Sequence, residues 1–224
     1  MVFADRDDAG RRLAARLGHL RGEPVVVLGL PRGDVPVAFQ VARALGAPLD
    51  VMVVRKLGVP FRPELGMGAV GQDGVRVINP EIVNLAGVSE NVLAAVQARE
   101  QAEVDARAGW YRLVRPREPL GGRMAVVAGD GIATGSTARA ACQIARAAGA
   151  ARVVLAVPVA PPGWQARIGA DADELACAGT PRGFRAIGQF YARFPQVSDE
   201  EVIACLERAA VPGTSRHRAC RGRR

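Results

Sequence analysis

A chain of 224 residues with 49% apolar side chains has material for one ordinary folded domain with a sizeable core, and is too apolar to be disordered. The formal charge of +8 is concentrated at one end: residues 216–224 hold five arginines, which leaves +3 for the rest. No apolar run approaches the roughly 18 residues of a membrane span, and the charged start MVFADRDDAGRR lacks a secretory apolar segment, so the expected setting is cytoplasmic.

In chain order, Asp5 is placed to cap a first helix carrying Leu13 and Leu17 on one face. Pro24 to Leu30 reads as a buried strand, Pro31 to Asp34 as a turn, Val35 to Leu45 as a helix and Leu49 to Val54 as a second strand. Residues 55–79 are rich in Gly and Pro and read as a long loop with a small hairpin around Gly71 to Gly74. Ser89 caps a long helix reaching about Leu113, and its apolar spacing offers a stripe that a partner subunit would cover; a homodimer is the expected assembly. After a linker come a strand at Met124 to Ala128, a helix from Ser136, a strand at Val153 to Val157, a short helix at Gly163 to Ile168 and a strand at Glu174 to Cys177. A last helix, Ser198 to Arg208, has acids in its first turn, where the helix dipole favours them. Apolar strands separated by helices predict an α/β fold: an open parallel sheet with helices on both faces. Residues 1–212 form a single domain in this reading, and 213–224 a flexible, solvated basic tail.

The chemistry that composition allows is narrow. Cys142, Cys177, Cys205 and Cys220 form no C-x-x-C pair, and His19 and His217 are the only histidines, so zinc sites, disulfide frameworks and His-based triads have little to build from. Cys142 and Cys205 fit helical core positions. The arginine tail has no aromatic residues for stacking single strands, so nucleic acid is not an expected partner.

The informative stretch is MAVVAGDGIATGST, residues 124–137. An apolar strand ends in a turn of small residues, and Thr134, Gly135, Ser136 and Thr137 open a helix. Free N–H groups, a helix dipole and neighbouring hydroxyls make a socket for a phosphate monoester, with Asp130 at its rim. A P-loop needs G-x-x-x-x-G-K-S/T, and no Lys lies in this turn. Two other readings stay open: a dinucleotide turn, although Gly129, Gly131 and Gly135 do not have the G-x-G-x-x-G spacing, and a plain strand-to-helix turn with hydroxyl caps.

The order Asp130, Gly131, Ile132, Ala133, Thr134, Gly135, Ser136, Thr137 resembles the phosphoribosyl pyrophosphate (PRPP) motif of type I phosphoribosyltransferases. The resemblance implies that Ala133 to Thr137 hold a 5-phosphate and that Asp130 approaches the ribose hydroxyls and Mg²⁺. The family's first acid falls on Gly129, so half of the expected carboxylate pair is missing. LPRGDVPVA, residues 30–38, resembles the pyrophosphate loop, which implies contacts from Arg32 and Gly33; Asp34 departs from the pattern, since related sequences commonly carry Gly there. Residues 55–74 resemble the loop that closes over the site, with Arg55 and Lys56 neutralising pyrophosphate. The pattern Pro181, Phe184, Ala186, Ile187, Gly188, Tyr191 fits a bacterial subgroup of predicted phosphoribosyltransferases, with Phe184 a candidate for base stacking and the N-terminal segment and residues 178–194 candidates for a hood.

The resemblance therefore implies a transferase that takes PRPP or a nucleoside 5-monophosphate and a nitrogenous base, with Mg²⁺ as cofactor. The missing acid leaves open a non-catalytic nucleotide sensor on the same fold.

Overall fold

The computed structural model describes residues 2–209. The chain runs through α1 (Arg6–Ala14), β1 (Val25–Gly29), α2 (Val35–Leu45), β2 (Leu49–Val51), β3 (Val54–Val59), β4 (Arg62–Gly71), β5 (Arg76–Ile78), α3 (Pro80–Leu85) and α4 (Glu90–Arg112). It continues with β6 (Met124–Ala128), α5 (Ser136–Ala147), β7 (Arg152–Val159), α6 (Gln165–Ile168), β8 (Glu174–Gly179) and α7 (Asp199–Arg208). The two expected caps are present: Asp5 and Ser89 each accept from a backbone N–H in the first turn of α1 and α4; Ser198 does the same for α7, where Glu201 completes a capping box with it. The tail expected at 213–224 lies outside the described residues, as do His217 and Cys220.

Five strands form a parallel sheet in the order β2-β1-β6-β7-β8. Its strands are apolar at nearly every position because both faces are covered. Val25 and Val27 of β1 enter one apolar cluster with α1, α2 and α7, while Val26 and Leu28 enter another with α5. β6 and β7 alternate in the same way: Val126, Ala128, Val154 and Ala156 face the first cluster, and Val127, Leu155 and Val157 the second. The strand order reverses between β1 and β6, so the loops leaving their carboxyl ends diverge there and open a crevice.

The region expected to be a loop, residues 55–79, is instead a second sheet. β3, β4 and β5 pair antiparallel and pack on α4 and α5. Its glycines serve close strand approach rather than disorder. A Cβ on Gly58 would sit 2.7 Å from the Pro63 carbonyl oxygen, and one on Gly68 would strike the Val77 carbonyl. Register shifts at Leu57, Gly58 and Val59 mark bulges that bend the hairpin. Leu57, Val59, Met67 and Ala69 are fully buried. The expected hairpin at 71–74 is the β4–β5 connection.

The stripe on α4 is covered within the chain: Val96, Val104, Ala108 and Tyr111 are buried in the first cluster. Val92, Trp110 and Leu113, at the ends of the helix, stay exposed. The chain start and residues 187–192 meet as expected of a hood. Phe3 donates to the Phe190 carbonyl at 2.7 Å and accepts from the Ala192 N–H at 2.8 Å, and Phe3, Phe190 and Tyr191 form a small aromatic cluster. Among the described residues no helix is long and apolar enough to cross a membrane.

One buried ion pair locks this arrangement. Asp50, 1% exposed, accepts from Arg112 Nη1 at 2.6 Å, the Glu118 N–H at 3.0 Å and the Val51 N–H at 2.7 Å. It joins β2 to α4 and to the linker before β6. Asp50→Ala strands the Arg112 guanidinium, and the expected loss is about 3–5 kcal/mol of unfolding free energy. Urea denaturation measures it; a loss below about 1 kcal/mol would show that the Arg112 contacts to the Val51 carbonyl and Gln72 suffice.

Candidate functional site

The turn after β6 is built to leave donors free. Gly129 closes onto β7, donating to the Ala156 carbonyl at 3.0 Å, and Ile132 donates to the Val159 carbonyl at 2.9 Å. The chain then leaves the sheet. Gly135, at φ 86°, caps α5 in the left-handed region, and a Cβ there would meet Ile168 at 2.8 Å. Both facts require glycine. Among the described residues no acceptor pairs with the amides of Ala133, Thr134, Gly135, Ser136 or Thr137. Thr134, Ser136 and Thr137 are exposed, and the hydroxyls of Thr134 and Ser136 lie 3.3 Å apart. Five amides and three hydroxyls at the positive end of a 12-residue helix are a cradle suited to an anion.

Asp130 stands beside the cradle but is not free. Its Oδ2 accepts from Arg6 Nε at 3.0 Å, both side chains being about nine-tenths buried. Arg6 also donates to the Pro195 carbonyl at 2.7 Å, and its guanidinium lies 3.8 Å from the centre of the Phe194 ring. Tyr191 donates its hydroxyl to the Asp130 carbonyl at 2.5 Å. Burial raises the Asp130 carboxyl above the usual carboxylate range, with Arg6 opposing. No N–H among the described residues reaches its Oδ1.

The loop after β1 closes the other side. The Pro31–Arg32 peptide is cis. A Cβ on Gly33 would lie 3.0 Å from Asp130 Oδ2 and 3.4 Å from Arg6 Nη2, so this glycine makes room for the ion pair. Asp34 is the N-cap of α2, yet its side chain makes no cap bond. Its Oδ1 accepts instead from the Asp130 N–H at 2.8 Å. Burial first, and then the Asp130 charge, push the Asp34 carboxyl well above the usual range.

These parts share one cavity of about 320 Å³ at the crevice between β1 and β6. Pro31, Gly33 and Asp34, Val54 and Arg55, Arg107, Asp130 and Thr137 line it. A neighbouring cavity of about 610 Å³ continues along β3 and α4, sharing Val54, Arg55 and Thr137 and adding Lys56.

Of the expected cations, only Arg55 reaches the first cavity, and it is held by Glu100 at 2.9 Å. Burial raises the Glu100 carboxyl, but Arg99 and Arg55 overcome this and hold it below the usual range. Arg32 turns to Asp199, 3.4 Å away, and the same carboxylate accepts from the Tyr111 hydroxyl at 2.5 Å. Lys56 donates to the Glu64 carbonyl at 3.1 Å and lies along the hairpin. Phe184 packs on Phe190, ring centres 5.2 Å apart, and is not among the residues around Asp130. Arg6 and Arg107 are the functional candidates that sequence reading missed.

Comparison with known proteins agrees with this geometry. The model of the phosphoribosyl transferase domain matches residues 5–179. A Mycobacterium tuberculosis (strain H37Rv) protein named "Putative phosphoribosyl transferase Rv0571c" is 57% identical over 208 residues, an alignment that covers 93% of this chain and 47% of the relative. Its counterpart in strain CDC 1551 matches equally well. The chain thus spans about half the length of these curated relatives. The crystal structure of TT1426 from Thermus thermophilus superposes with a TM-score of 0.87 at 43% identity, covering 94% of this chain and all of that one. A family model spanning most of the chain, on a sheet whose crevice carries the motif turn, means that this chain belongs to the phosphoribosyl transferase domain family.

Proposed function

We propose that the chain binds PRPP or a nucleoside 5-monophosphate and transfers the phosphoribosyl group to a nitrogenous base with release of pyrophosphate. The observation that carries this reading is the set of unpaired amides from Ala133 to Thr137, beside a buried carboxylate on the same cavity. In this account the amides and the hydroxyls of Thr134, Ser136 and Thr137 bind the 5-phosphate. Asp130, through Oδ1, which no backbone or side-chain N–H among the described residues reaches, accepts from a ribose hydroxyl. The backbone at Gly33 contacts the pyrophosphate, and Arg55 with Arg107 offsets the charge that grows on it as it departs, while Arg32 stays on Asp199. Fixed donors and cations of this kind cost no reorganisation when the bond to C1 breaks. The base nitrogen then enters from the opposite face, and the hairpin bearing Arg55 and Lys56 limits the access of water.

Carboxylate oxygen at the cavity wall suits Mg²⁺, a hard cation usually held by one or two carboxylates together with substrate phosphates. When bound, Mg²⁺ supplies further neutralisation of the pyrophosphate; Asp130 would hold it, directly or through water.

A second reading rests on the Arg6–Asp130 pair, which occupies one oxygen of the motif acid. A chain so arranged would bind the nucleotide and act as a sensor. Pyrophosphate release from PRPP with Mg²⁺ and a panel of purine and pyrimidine bases separates the two. The transferase reading predicts base-dependent release with at least one base. PRPP binding with no release from any base would favour the sensor.

A further inference from the structure

Two departures from the motif pattern meet in space. The turn lacks an acid at Gly129, and the loop after β1 gains one at Asp34, 95 residues earlier. A Cβ built on Gly129 would lie 3.4 Å from Asp34 Oδ1 and 3.5 Å from both its Cγ and Oδ2. The Asp34 carboxylate therefore lies against the volume from which a side chain at 129 would project. It also lines the same cavity as Asp130.

We propose that Asp34 is the second ligand-binding carboxylate of this site, standing in for the acid that the motif turn lacks at Gly129. The inference rests on the transferase-fold ligand reading above and deepens it by assigning a residue. Asp34 is at the N-cap of α2 but leaves the helix amides and reaches across to the Asp130 N–H. That bond uses one oxygen and fixes the carboxylate plane. The other oxygen receives no N–H bond among the described residues, Asp34 lines the cavity, and its carboxyl lies within hydrogen-bonding reach of the Asp130 carboxyl. Burial and mutual repulsion disfavour a second negative charge on this adjacent pair, which has one arginine in contact, and a cation carried in with the phosphorylated ligand would take the place of the proton and let both carboxyls ionise. Moving the acid from one loop to its neighbour preserves the pair while changing which strand supplies it.

The simpler role for Asp34 is that of a peg that pins the motif turn. Asp34→Asn separates the two, because the amide oxygen still accepts from the Asp130 N–H while the charge is lost. The measurement is calorimetric titration of the full chain with PRPP, with and without Mg²⁺, alongside thermal melting. The expected result for Asp34→Asn is a melt close to that of the unaltered chain and a Mg²⁺-dependent gain in affinity reduced by about ten- to a hundredfold, the worth of one charged hydrogen bond. The exchanged pair, Asp34→Gly with Gly129→Asp, should recover most of that gain. Gly129 lies outside the left-handed region, so it accepts a side chain without backbone strain. If Asp34→Asn keeps the full Mg²⁺-dependent gain, Asp34 is only a peg and the proposal fails while the function stands. If the Asn variant does not fold, the exchanged pair decides: a folded chain without the gain overturns the proposal. If the unaltered chain binds no PRPP, the functional reading falls first and takes this one with it.

Discussion

Arg6→Met should destabilise the chain by about 3–5 kcal/mol, one of the two largest effects expected from a single change. Arg6 is the first residue of α1, and its guanidinium holds two segments distant in sequence: the motif turn through the Asp130 carboxylate, and residues 194–195 through the face of Phe194 and the Pro195 carbonyl. Methionine keeps much of the side-chain volume but removes the charge. Asp130 is then left buried beside Asp34 with no cation in contact, and an unpaired buried charge costs far more than the pair contributes when intact. Urea denaturation should show the loss, and Arg6→Met combined with Asp130→Asn should recover a large part of it, since the second change removes the stranded charge. Strictly additive losses would mean that Arg6 acts through Phe194 and Pro195 alone.

The second large effect separates stability from binding at one residue. Ser136→Asp places a carboxylate at the first position of α5, where the helix dipole favours an acid by about 0.3–1 kcal/mol. The same carboxylate enters the amide cradle and repels a phosphate. Two unit charges about 4 Å apart near a protein surface interact by roughly 4 kcal/mol, so PRPP affinity should fall on the order of a hundred- to a thousandfold. The chain should melt no lower than before. Most substitutions that ruin a site also weaken the fold, so a stable chain that no longer binds is a specific signature. Unaltered binding would mean that the phosphate goes elsewhere.

How much of this could be read from the sequence depends on how local each feature is. The motif turn is contiguous: strand end, glycine, hydroxyls and helix start lie within 14 residues, and both the pattern and its resemblance to a family were legible there. The parallel sheet was legible because two-sided burial makes each strand apolar throughout. Arg6 was not, being 124 residues from Asp130. One signal did exist: a cation at a helix start opposes the dipole, and such a residue needs an outside partner. Arg107 looks like any charged residue on a long helix until α4 is docked. The β3–β5 sheet was hidden by its glycines, which read as loop but are where strands approach closely; the alternation of Leu57 with Val59, and of Met67 with Ala69, was the countersignal. The nearness of Asp34 to Gly129 could not be read at all, because it depends on how two loops face each other across the crevice.

The amides of Ala133 to Thr137 are expected to meet a phosphate, and ¹⁵N–¹H correlation spectra of the full chain titrated with ribose 5-phosphate test this most directly. The predicted result is saturable shifts largest at Gly135, Ser136 and Thr137, with Asp130 next and α7 unmoved. Binding with those amides unshifted, or no saturable shift at millimolar ligand, would contradict it.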